Sequence, residues 1–186
     1  FLYTNIHTHH GMYPLYHNQQ PYFWENEAGK RLLVWSGEHY NLGNALGLIY
    51  NKNANFMMKT YFGDRDTVSD PVKILKENLD HYLGECVESG YLYDFLVASV
   101  SGVFSDNAPP NTGIQRMVET FNAMYGEEIC LEMVSLQTLY EKIRDRVADA
   151  PVCRGDLNDW WANGIGSTPY QVKHYKEAQR LYHLCN

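Results

Sequence analysis

An α/β fold, with mainly parallel strands under covering helices, is what this sequence predicts, and three observations predict it. Short apolar runs closed by glycine, such as RLLVWSG at 31–37, have the form of buried strands. Segments with apolar residues at helical spacing follow such runs, and strand then helix, repeated, is the order of a parallel sheet with helices on its faces. The composition agrees: 186 residues, 45% hydrophobic and 20% charged, suit one globular domain or a large piece of one.

In chain order, FLYTNIH at 1–7 is aromatic and β-branched enough for a strand that runs into a His-rich loop. The loop is expected to continue through two prolines to PYFWENEAGK, ahead of the buried strand 31–37. GEHYNLGNALGLIYN then reads as a loop and a glycine-weakened helix. Asp70 before Pro71 predicts a capped helix start, and Val72, Leu75, Leu79, Tyr82, Leu83 and Cys86 mark its apolar face up to a stop near Gly90. YDFLVASVSG at 93–102 is the strongest strand candidate. After Pro109-Pro110, Ile114, Met117, Val118, Phe121 and Met124 recur at helical spacing until Gly126. EICLEMV at 128–134 alternates as a strand, and Ser135 caps a helix through about Val147. Thr168-Pro169 opens a last helix expected to turn Val172, Tyr175, Leu181, Tyr182 and Cys185 inward.

A net charge of −7 and no run of Lys or Arg interleaved with aromatics argue against a nucleic-acid partner. No stretch approaches the roughly 20 apolar residues of a membrane span, so no membrane partner is expected. Cys86, Cys130, Cys153 and Cys185 are too widely spaced for a zinc ribbon or a disulfide scaffold; they read as free thiols, mostly packing, which favours a reducing cytoplasm. The start on FLYTNI and the end on LYHLCN read as those of an internal fragment whose partners in the fold lie elsewhere. There is no GxSxG, P-loop or dinucleotide GxGxxG.

Four constellations are candidates for chemistry. SGVFSDNAPP places Asp106 and Asn107 at the carboxyl end of the expected strand 93–102, where α/β folds gather functional groups. Asp106 serves there either as a functional carboxylate or as a turn former. His7 and His9, in the run HTHH, have the His-x-His spacing with which some metal-dependent barrel hydrolases open, and are equally at home in a solvated loop or against a substrate. Asp64-Arg65-Asp66 reads as a solvated loop. GDLNDWWANG combines acids, amides and two indoles, as sugar sites do, because a sugar ring has apolar faces and a polar rim. Consecutive side chains point in different directions, so of Trp160 and Trp161 one is expected to pack in the core and the other to line a site.

These segments in this order, FLYTNIHTHHG, PYFWENEAGKRLLVWSGEHY, SGVFSDNAPP, IQRMVETFN, ICLEMVSLQTLYEKI and DWWANGIGSTPYQVKHYKEAQRL, resemble the catalytic domain of glycoside hydrolase family 38, the retaining α-mannosidases. The resemblance runs over nearly the whole chain and is closest to a bacterial branch; DNAPP and DWWANGIGSTP are its specific parts. It implies that residues 1–186 are a single region, the C-terminal part of a glycosidase catalytic domain built as a partial (β/α) barrel. It further implies zinc, an Asp nucleophile and a second carboxylic acid as proton donor. Carried across, the donor lands nearest Asp106, although the family form has two adjacent acids where this chain reads Gly102-Val103-Phe104-Ser105-Asp106. The nucleophile and most zinc ligands belong outside these residues, so the piece alone is expected to be inactive and to need the rest of its domain. Trp35, His39 and Tyr40, after the second strand, join Trp160 and Trp161 as an expected sugar wall. The alternatives are a metal-dependent amidohydrolase using His7 and His9, and a carbohydrate-binding homologue without catalysis.

Overall fold

The computed structural model describes residues 1–5, 19–49, 70–102, 109–155 and 164–185. Strands β1 (Leu2–Asn5), β2 (Gln20–Glu25), β3 (Arg31–Gly37) and β4 (Val152–Cys153) form one sheet in the order β1-β3-β2-β4. β1 runs parallel to β3 and β4 parallel to β2, while β2 and β3 are antiparallel. The helices are α1 (Leu42–Leu46), α2 (Pro71–Glu88), α3 (Ile114–Tyr125), α4 (Leu136–Ile143) and α5 (Pro169–Cys185), with a 3-10 turn at Gly164–Ser167.

β2 replaces the loop expected there. Asn26 turns the chain: its Oδ1 accepts from the amides of Ala28 and Lys30 at 3.0 and 2.9 Å, and Gly29 supplies the left-handed φ of 74°. Pro21 is tolerated because its nitrogen faces away from β3, on the side where Phe23 donates to Pro151 at 2.8 Å, and β4 reaches only Phe23 and Trp24. Beside the turn, Glu25 is buried and accepts from Arg31 and Arg154, which hold its carboxyl below the ordinary range. Trp24 Nε1 donates to Gly155 at 2.8 Å, so β2 pins both residues that follow β4.

β3 is the spine. Its period of two sends Leu33 and Trp35 into a cluster with Val97, Ile143 and Val147, and Val34 into a cluster with Tyr22 and Cys153. A third cluster joins Leu42 and Leu46 of α1, Val72, Leu75 and Leu79 of α2, and Phe121 of α3. α2 starts as its sequence dictates, with Asp70 Oδ1 accepting from Val72 and Lys73 at 3.0 and 3.4 Å ahead of Pro71. Ser135 caps α4 through Thr138 at 3.1 Å, though the helix stops at Ile143 and continues to Val147 only as turns.

Two expected strands are not paired in the sheet. Residues 91–101 and 129–134 carry no ladder, although Tyr93, Phe95 and Val97 face one cluster and Leu96 and Ala98 the other, as a strand between two layers would. Some of their backbone groups go to side chains instead, while the Ser99 carbonyl accepts from the Gly43 amide at 2.9 Å. Asn44 of α1 donates to the Ser101 carbonyl at 2.8 Å and accepts its amide at 3.0 Å, and Asn122 of α3 holds both groups of Leu131 at 2.8 Å. α5 is a second correction: no residue of it is buried, and Tyr175, Leu181 and Tyr182, expected inside, are 65%, 57% and 67% exposed. The four thiols are free, with Cys86 and Cys153 buried and Cys130 and Cys185 exposed.

Candidate functional site

The register of the parallel pair sets the place. Asn5 lies opposite Gly37, so β1 and β3 end level with one another at the same edge of the sheet. Carboxyl ends of parallel strands are where α/β folds hold their chemistry, because the sheet fixes the base of each loop. Gly37 is needed there for space: a Cβ on it would run into the Tyr3 phenol. Glu38, the next residue, is half-buried at the strand end.

Helix α2 supplies the groups beneath Glu38. Tyr82 Oη donates to Glu38 Oε1 at 3.1 Å. Cys86, one turn further along the same face, is buried against Tyr82, and burial pushes its thiol up, with the Glu38 charge adding to the effect. Burial also pushes the Tyr82 hydroxyl far up, again with help from the Glu38 charge, and pushes Tyr3 to about 12 for the same two causes in the same order. The Tyr82 phenol is therefore a neutral donor to Glu38 throughout the physiological range.

Gln19 completes the support. It sits in the left-handed region at φ 58°, uncommon for a residue with a side chain, and that side chain is wholly buried. Its Nε2 donates to the Val97 carbonyl at 2.8 Å and its Oε1 accepts from Trp35 Nε1 at 3.1 Å. One amide thus ties the extended segment 91–101 to strand β3.

His39 and Tyr40 follow Glu38 and are half-buried, their rings 4.1 Å apart between centroids at 37°. His39 Nδ1 accepts from the Asn41 amide at 3.3 Å, which places the proton of the neutral ring on Nε2. Trp35 is not part of a wall: it is fully buried, with Tyr93 and Phe95 at 5.8 and 5.4 Å between ring centroids, and belongs to the core. Asp106, Asn107, Trp160, Trp161, His7 and His9 lie outside the described residues. The structure therefore brings together His39 and Tyr40 from the expected set, and adds Glu38, Tyr82 and Gln19, which sequence reading passed over.

No group of three His, Cys, Asp or Glu side chains that could hold a metal ion occurs among the described residues. Among them, too, no helix is long and apolar enough to cross a membrane. An open groove of about 600 Å³ lies on α5, lined by Gly166, Pro169, Val172 and the cations Lys173, Lys176 and Arg180, with Glu177 beside them. Its described lining carries three cations and one carboxylate. Comparison of the chain with protein-family models, with curated proteins and with solved structures finds no match.

Proposed function

We propose that this chain is part of a zinc-dependent retaining glycoside hydrolase, of the family 38 type, acting on α-mannosides or related glycans. The observation that supports it best is the grouping of one supported carboxylate, Glu38, with the adjoining rings of His39 and Tyr40 at the carboxyl ends of two parallel strands. A sugar presents hydroxyls at its rim and C–H bonds on its faces, so an acid beside flat rings is chemistry suited to it. In this reading the sheet is a segment of a (β/α) barrel, and one of Trp160 and Trp161 extends the wall.

Retaining hydrolysis needs two carboxyl groups. One attacks the anomeric carbon as the bond to the leaving oxygen breaks; the other gives its proton to that oxygen and then takes one from the water that releases the sugar. Asp106 is assigned the second task, and the nucleophile comes from outside this chain. Zinc, which the resemblance brings with it, draws its ligands in this reading from beyond the described residues, His7 and His9 being candidates.

Hydrolysis of aryl α-mannosides by the full-length protein tests the proposal. Asp106→Asn is expected to slow substrates with poor leaving groups far more than those with activated ones, because only the former depend on protonation. Sugar binding with no hydrolysis would instead identify a carbohydrate-binding homologue. Activity on amides in place of glycosides would favour the amidohydrolase reading of His7 and His9.

A further inference from the structure

We infer that the cationic face of α5 docks on the acidic stretch 124–136 of a second copy of this chain. The inference is independent of the carbohydrate reading. Lys173, Lys176 and Arg180 fall three and four positions apart, so they share one face of α5, and that face lines the groove of about 600 Å³. Among the described residues, none of these three side chains has a hydrogen-bond or ion-pair partner. Glu177, the acid beside them, is engaged by His174 Nδ1 at 3.1 Å. Tyr170, three positions before Lys173, and Leu184, four after Arg180, flank the stripe, and each is more than half exposed. α5 thus carries three cations against one acid, on a chain that has 15 Lys and Arg against 22 Asp and Glu.

The stretch from the end of α3 to the start of α4 is its complement. Ile129 and Leu131 pack against the cluster of α1, α2 and α3, and Asn122 holds both backbone groups of Leu131. Alternation then leaves Cys130 and Glu132 exposed. Glu127 and Glu128 are exposed just before them, and Met124, Met133 and Leu136 of the same stretch are each more than half exposed. Lys76 meets Asp80 at 2.8 Å and Glu128 at 3.0 Å, and Lys142 meets Glu132 at 2.7 Å. With Glu127, the acids still outnumber the cations. Acids among exposed apolar side chains on one surface match cations among exposed apolar side chains on the other, the composition of an interface whose charges set orientation and partner. One chain carries both surfaces but leaves the α5 cations unpaired, so the partner always present in equal amount is another copy.

Sedimentation of the full-length protein at low salt, with charges reversed one surface at a time, tests the inference. Wild type is expected to associate. Reversal on α5 (Lys173→Glu, Lys176→Glu and Arg180→Glu) should weaken association about 10-fold or more, and so should reversal on the stretch (Glu127→Lys, Glu128→Lys and Glu132→Lys). Both reversals in one chain should restore it, and the two one-sided variants, each weak alone, should associate when mixed. If the second variant does not fold, Glu127→Lys, whose side chain has no partner among the described residues, takes its place by the same criterion. Association that ignores both reversals, or that the double reversal fails to restore, overturns the inference and assigns the contact to other surfaces. A wild-type monomer at every concentration also overturns it. In that case, α5 amides protected from hydrogen exchange would identify another part of the full-length chain as the occupant.

Discussion

At the scale of single residues, three phenols shielded from water make a claim about pH. Tyr3 ionises at about 12 in the folded protein against an ordinary 10.0, and Tyr82 and Tyr91 are also raised, in each case chiefly by burial. The unfolded chain releases these protons from about pH 10 upward while the folded chain keeps them, so the folded state binds more protons there and stability must fall with rising pH. The contribution is fully present below pH 10 and is lost as pH climbs through 12, the value for Tyr3, and beyond for Tyr82. Urea unfolding at about pH 9 and about pH 11.5 should show this decline, and Tyr82→Phe should make it shallower. A slope unchanged by Tyr82→Phe would mean that its hydroxyl reaches water. The same cluster shows why part of the site escaped the sequence. GEHY displays an acid after a strand-stopping glycine, but what singles Glu38 out is a tyrosine 44 positions away, and no spacing within one segment records such a partner. That His39 and Tyr40 follow a buried strand was legible because the strand signal is local; the burial of Trp35 was not, since a strand pattern alone does not say which layer will cover it.

At the scale of elements, the two unpaired segments separate what a hydrophobic pattern records from what it does not. The apolar pattern of 93–102 and 128–134 marks side chains suited to apolar neighbours, and Tyr93, Phe95, Leu96, Val97 and Ala98 do meet them. It carries no information on what takes the backbone hydrogen bonds. Here a helix asparagine does, because its amide offers one donor and one acceptor at the separation a neighbouring strand would present. α2 was legible nearly in full, since Asp70-Pro71 and the apolar stripe are local, whereas β2 was hidden by Pro21 and depends on β3 to be a strand at all. The clamps give a prediction. Asn44 is fully buried, so Asn44→Ala removes two hydrogen bonds and leaves backbone groups of Ser101 unpaired, at a cost of about 2–4 kcal/mol. Asn122→Ala, at a half-buried site, should cost about 1–2 kcal/mol. Urea unfolding gives the magnitudes, and hydrogen exchange at the Ser101 and Leu131 amides gives the location. Costs under about 0.5 kcal/mol would show that water replaces both clamps without loss.

At the scale of the whole molecule, α5 stands apart from the three apolar clusters. Its 17 residues include Tyr170, Tyr175, Leu181, Tyr182 and Leu184, each more than half exposed, and among the described residues its main neighbour is the 3-10 turn that precedes it. Isolated helices of this length are marginal in water, and helices in proteins draw most of their stability from packing one face. The outer edge of β1 likewise has no strand beside it among the described residues, and an open edge is a template for another chain. Exposed apolar surface on a helix together with an open edge predicts association of the 186-residue chain expressed by itself. Sedimentation should show a mass that rises with protein concentration, and Leu181→Lys with Leu184→Lys should lower it without moving the thermal midpoint, because neither residue belongs to a buried cluster. Hydrogen exchange then distinguishes two ways of being wrong. A monomer at every concentration with α5 amides exchanging freely would mean that the helix does not form without a partner. A monomer with protected α5 amides would mean that the helix packs against its own chain, and the exposure on which the prediction stands would be mistaken.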